Sequence, residues 1–209
     1  MKRFLLVFVG GIALAQAGFI AQPYGNQTVG SDGTVTLPEG GIIKDNKRGF
    51  SIDAKFVEYK DGAYLKARNA KLKNNTGQSL SSPSIYYTLS NDRMDIAGSL
   101  NYSDENVSGA TAAKAVAYPD GKRVVAWNIS ATTPVVRANV AVFDDNRNEV
   151  FLMGNIYYKS KDGKTTKQAA GENGMLLVNF SNREKPTFAA NELIPAISVN
   201  AYKAIIAKK

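Results

Sequence analysis

The 209-residue chain contains neither histidine nor cysteine, which removes most of the chemistry a protein side chain can perform. Ser-His-Asp triads, imidazole acid–base catalysis, His-ligated zinc or copper and haem on a histidine all need the missing imidazole. Disulfides, thiolate metal sites, cysteine nucleophiles and the lipid-modified cysteine of a lipoprotein need the missing thiol. The remaining motifs are incomplete. Gly163-Lys164-Thr165 matches the end of a phosphate-binding loop, but the first glycine of that loop would fall on Tyr158. Asp144, Asn146 and Asn148 have the spacing of a calcium loop, yet its sharp-turn glycine is Glu149 and its bidentate glutamate is Asn155. The carboxylate pairs Asp92 with Asp95 and Asp104 with Glu105 are expected in polar turns that keep both charges solvated. No Ser-x-x-Lys nucleophile stands in a helical setting. The expectation is a protein that is not an enzyme and that uses no cofactor or metal.

The basic residues carry more information. Lys66, Arg68, Lys71 and Lys73 recur at near-alternate positions, a pattern that sets several cations on one sheet surface as headgroup-binding candidates. Lys159, Lys161, Lys164 and Lys167 do the same around a later turn, where lysines also keep an edge strand from pairing. No aromatic-basic module for nucleic acid is present. Phe56, Tyr87, Phe143, Phe151 and Tyr158 are candidates to line an apolar lipid groove, with ordinary core packing as the alternative.

The elements that must position these groups are strands. Hydrophobic residues make up 44% of the chain, aromatics 10% and charged residues 21%, with 18 glycines and ten tyrosines, a balance that favours an all-β protein rich in turns. Residues 1–17 read as a secretory signal. Lys2 and Arg3 precede an apolar run, and Ala15-Gln16-Ala17 supplies a small-residue cleavage site. The expected location is the periplasm or cell envelope, with possible contact to a membrane surface. Residues 18–49 read as a loosely held arm, 50–180 as the β domain and 181–209 as a C-terminal extension, ending in a strand or a short helix. Within the domain, Ile52, Ala54 and Phe56 are expected on one face of a strand, and Asp53, Lys55 and Val57 on the other. Asp-Gly at 32–33, 61–62, 120–121 and 162–163 marks tight turns.

The strands recur as loose hairpin units, each unable to bury its apolar face alone. The clearest runs through Val136-Arg137-Ala138-Asn139, turns at Asp144-Asp145-Asn146, and continues to Gly154-Asn155-Ile156 before Asp162-Gly163-Lys164. Ala97-Gly98-Ser99-Leu100 and Ala126-Trp127-Asn128-Ile129 are weaker copies. The unit from Val136 to Lys164 resembles the repeat of the periplasmic lipopolysaccharide-transport family of OstA-like β-jellyroll proteins. That resemblance implies a twisted antiparallel β-jellyroll or sandwich that binds or shuttles an amphipathic anionic lipid, shielding its acyl chains, and that pairs its open sheet edges with another envelope protein. The rival expectation is a structural accessory subunit of a surface-layer or outer-membrane assembly, its interior filled by its own side chains.

Overall fold

The computed structural model describes residues 19–75, 78–103, 107–182 and 185–208; the export signal expected over 1–17 lies outside them, as do Asp104 and Glu105. Among the described residues the chain is all-β and antiparallel, built from hairpins, with one α-helix near the C-terminal end. It divides into two compact units, Met1–Gly98 and Ser99–Lys209.

In the first unit, β1 (Ile20–Pro23) pairs with β4 (Gly41–Asp45), which pairs with β5 (Phe50–Lys60). The sheet continues through β6 (Tyr64–Asn74), β7 (Ser79–Thr88) and β8 (Arg93–Ser103), the last running on past the unit's boundary. The small hairpin of β2 (Thr28–Val29) and β3 (Val35–Leu37) joins β5 beyond the end of β4. The stretch expected as a loose arm is therefore paired sheet. Phe19, Leu37 and Ile43 are buried, and Phe19 packs edge-on against Tyr59 and Tyr87. Its glycines and threonines disguise the core positions Phe19 and Ile43 as loop.

Strict alternation does not survive along these strands. Buried Ala54 is followed by buried Val57 on β5, Ala67 by Ala70 on β6, and Ser82 by Ile85 on β7. Each interval of three spans one line of bending across the sheet. Asn69 crosses it with φ +49° and Gly98 with φ +86°. Pro83 lies between them in sequence, and a Cβ on Gly98 would come within 2.8 Å of its ring. An asparagine tolerates left-handed backbone better than other non-glycine residues. The bend corrects the face assignment made from sequence: Val57 turns inward, and Phe56 turns outward opposite Arg68.

The second unit repeats the device. Its order is β9 (Ala110–Tyr118), β10 (Arg123–Ala131), β11 (Val135–Asp144), β12 (Glu149–Met153), β15 (Met175–Asn179) and β16 (Thr187–Ala190). β13 (Ile156–Lys159) pairs with the first part of β11, and β14 (Thr166–Ala169) pairs with β13. Here the bend passes through Asn128 (φ +52°) and the pair Gly154-Asn155 (φ +77° and +48°). All three copies of the Gly/Asn pattern seen in the sequence thus hold a left-handed residue at a bend. Leu152 and Ile156, four apart, enter one apolar cluster with Ala138, Ala141, Tyr158 and Leu176. The opposite face, formed by Val125, Val140, Val142, Phe151 and Leu177, is covered by Ile194 and Tyr202. Tyr202 belongs to α1 (Ala196–Ala207), which Pro195 precedes.

Three of the four Asp-Gly steps place glycine at positive φ, at Gly33, Gly62 and Gly163. At Asp120-Gly121 the left-handed residue is instead Lys122 (φ +48°), one position later. Its N–H closes the turn onto the Pro119 carbonyl at 3.2 Å.

Candidate functional site

On β6, Leu65, Ala67 and Ala70 point into the core while Lys66, Arg68, Lys71 and Lys73 are exposed. Under strict alternation the 2–3–2 spacing of these cations would send Lys66 and Arg68 to one face and Lys71 and Lys73 to the other. The bend at Asn69 absorbs the extra residue and puts all four outside. In register beside them stand Ser79, Ser81, Ser84 and Tyr86 of β7, and Ser51, Asp53, Phe56 and Glu58 of β5. Lys44 of β4 lies across from Ser51, and Lys55 is exposed at the bend. The surface therefore gathers six cations against two carboxylates, with a row of serine hydroxyls.

Both carboxylates are engaged. Glu58 accepts from Lys66 Nζ at 2.7 Å and from the Tyr64 hydroxyl at 3.1 Å. The hydrogen bond from Lys66 holds the Glu58 carboxyl below the usual glutamate range, and the same bond raises Lys66. Asp53 accepts from the Tyr24 hydroxyl at 2.8 Å, which pushes that phenol up. Lys66 lies 5.0 Å from the Tyr64 ring centre, and the Arg68 guanidinium 5.0 Å from that of Phe56. Lys71 and Lys73 form no ion pair among the described residues. The arrangement offers two unneutralised ammonium groups and a guanidinium stacked on an aromatic ring, a surface suited to anionic oxygens.

Within each unit the groove candidates do not share a surface. In the first unit, Tyr87 is fully buried beside Phe50, and its hydroxyl donates to Asp92 at 3.0 Å. Phe56 lies on the outer face under Arg68. In the second unit, Phe151 is fully buried beneath α1, stacked on Tyr202 with ring centres 5.1 Å apart. Tyr158 is buried in the other apolar cluster, 5.3 Å from Phe188. Phe143 is exposed. Of the five, Phe56 owes its place to the bend, which the period-two reading did not contain.

The second lysine group has a different setting. Lys159, Lys161, Lys164 and Lys167 are exposed around the β13–β14 hairpin, and among the described residues β14 pairs only with β13. Lysines there protect an edge. The calcium-like loop is committed to its own hairpin. Buried Asp144 accepts from Arg123 Nε at 3.0 Å and from the Asn146 N–H at 3.1 Å. Asp45 plays the same part in the first unit, accepting from the N–H and the guanidinium of Arg48, both at 3.0 Å. Sequence reasoning missed these buried aspartates. Their signal is the shared spacing Asp45…Arg48 and Asp144…Arg147, each followed by a left-handed residue, Gly49 or Asn148.

Compared with models of known protein families and with curated proteins, the chain gives no match.

Proposed function

We propose that this is an exported, non-enzymatic protein of the cell envelope that binds the anionic headgroups of an amphipathic lipid on the outer face of β5, β6 and β7. One observation carries the reading: Lys66, Arg68, Lys71 and Lys73 emerge together on one exposed surface, although their spacing in a flat strand would divide them. The mechanism is passive. Ammonium and guanidinium groups donate to headgroup oxygens, and the serine row adds neutral donors. Phe56 and Tyr86 sit among the cations as amphipathic contacts at the headgroup level. The acyl chains stay in the bilayer, because Ile52, Leu65, Ile85 and Tyr87 already occupy the core beneath this face. The OstA-like resemblance contributes the lipid class to this reading.

Co-sedimentation with phosphatidylcholine vesicles, with and without phosphatidylglycerol, tests it. Binding is expected only to the anionic vesicles and should weaken with salt. Lys71→Ala combined with Lys73→Ala should weaken binding about 30-fold, at about 1 kcal/mol per cation near an anionic surface. Glu58→Gln should strengthen it about fivefold by the same estimate, since a carboxylate leaves the face. Protonating Glu58 acts in the same direction, so affinity should rise as pH falls through its depressed pKa. Equal binding to neutral vesicles, or indifference to these substitutions, would refute the proposal. The rival reading, an accessory subunit of a surface-layer or outer-membrane assembly, rests on Leu193 and Ile197, which are 79% and 80% exposed. Co-purification with a large envelope protein, with no vesicle binding, would favour it.

A further inference from the structure

We infer that the second unit carries a separate oxyanion site, in the pocket between the start of β10, the β11–β12 hairpin and the C-terminal half of α1. The cavity is about 210 Å³ and is lined by Arg123, Arg147 and Lys208 above Tyr202 and Ile205. Among the described residues its one lining carboxylate is already used. Asp144 is buried, with one oxygen on Arg123 Nε and the other on the Asn146 N–H. Nearby Glu149 is also engaged, accepting from the Tyr202 hydroxyl at 2.5 Å and from Asn179 Nδ2 at 3.3 Å. Arg123 spends Nε on Asp144, and its terminal nitrogens have no partner among the described residues. Arg147 forms no ion pair among the described residues, and its guanidinium lies 5.8 Å from the Tyr202 ring centre.

The negative end of a helix attracts cations within its last turn, and Lys208, just past Ala207, fills that role. The two arginines come from the start of β10 and from the β11–β12 turn, so the helix end does not require them. Planar forks facing one cavity suit a tetrahedral oxyanion, which accepts paired N–H bonds from guanidinium groups. The ligand class is a phosphate group, either free or on a small organic carrier. This site is distinct from the β6 face, so failure of vesicle binding leaves it standing.

The test follows the arginine Nε–H signals by NMR while inorganic phosphate, glycerol 3-phosphate or sodium chloride at matched ionic strength is added to the full chain. Saturable shifts at Arg123 and Arg147 with either phosphate compound, and none with chloride, are expected. Tighter binding of glycerol 3-phosphate would identify an organic monoester as the ligand, and equal binding would identify the bare phosphate group; both support the site. Arg147→Gln should weaken binding tenfold or more with only a small drop in melting temperature, since Arg147 is exposed and gives up only its contact with the Tyr202 ring. Arg147→Lys should keep only part of the affinity, because the charge stays and the fork is lost. Unsaturable shifts that follow ionic strength for all three salts would overturn the inference, as would wild-type affinity in Arg147→Gln.

Discussion

Tyr202→Ala should lower the stability of the second unit by about 3–5 kcal/mol, the range for truncating a buried aromatic. Tyr202 is fully buried, stacks on Phe151 and donates its hydroxyl to Glu149. It is also the buried anchor of α1, whose remaining contacts come from partly buried Val199, Ile205 and Ile206. Twelve residues make a helix that is marginal by itself in water, so α1 should melt once its anchor is gone. The loss would uncover Val140, Val142 and Leu177. Thermal unfolding followed by circular dichroism should show a drop of about 10 °C or more, and limited proteolysis should begin to cut within α1. A melting curve within a degree or two of the wild type would contradict this docking. Tyr202→Phe keeps the stacked ring and removes only the donor to Glu149, so a loss of about 1 kcal/mol is expected.

The same residue gives the unit an alkaline limit. Burial first, and the hydrogen bond to Glu149 second, raise the Tyr202 pKa far above its ordinary 10.0. A raised pKa in the folded state means that the unfolded chain ionises first. The stabilisation is present below the ordinary tyrosine pKa and declines as pH rises above it. Tyr202→Phe should flatten that decline.

Gly154→Ala is the second large effect. Gly154 has φ +77°, and a Cβ there would meet Asn139 Nδ2 at 2.6 Å and Asn139 Cβ at 2.9 Å. The backbone has no room to retreat. Its carbonyl accepts from the Asn139 N–H and its N–H donates to the Gly174 carbonyl, each at 2.9 Å. Left-handed backbone alone costs about 1–2 kcal/mol for an L-residue, and overpacking adds about 1–3 kcal/mol. Chemical denaturation should therefore show a loss of about 2–5 kcal/mol. Gly121→Ala is the control: its nearest neighbours, atoms of Tyr118, lie at 3.5 and 3.6 Å and its φ is not positive. It should be neutral or slightly stabilising, by up to about 1 kcal/mol. Equal effects at the two glycines would mean that the Gly154 bend is not a structural requirement.

These bends mark where the sequence stops being readable by periodicity. The hairpins and the all-β class follow from alternation and Asp-Gly turns, because both signals are local, whereas the shared face of the β6 cations needs the bend at Asn69. Phe56 and Val57 exchange faces because the bend inserts a step that period two does not contain. Asn69 gives the clue, an asparagine between basic residues in a strand, but only its neighbours Pro83 and Gly98 give it a reason. The early sheet hides behind glycines: Leu37 and Ile43 look isolated until β5 pairs with both of their strands. The helix is obscured by Pro195 and by β-branched Ile197 and Val199, and forms because one sheet face needs a cover. The pocket at Arg123 and Arg147 joins residues 24 positions apart with a helix still further along the chain, a juxtaposition that no local pattern encodes.

On the proposed reading a lipid surface meets the β6 face, whereas a merely basic protein would bind through any exposed lysine. Lysine acetylation read by mass spectrometry, on protein free and bound to phosphatidylglycerol vesicles, tests this directly. Lys44, Lys71 and Lys73 should become protected on the vesicle, while Lys159, Lys161 and Lys164 keep the reactivity they show in the free protein. Unchanged reactivity at Lys71 and Lys73, with protection at the β13–β14 hairpin, would contradict the account.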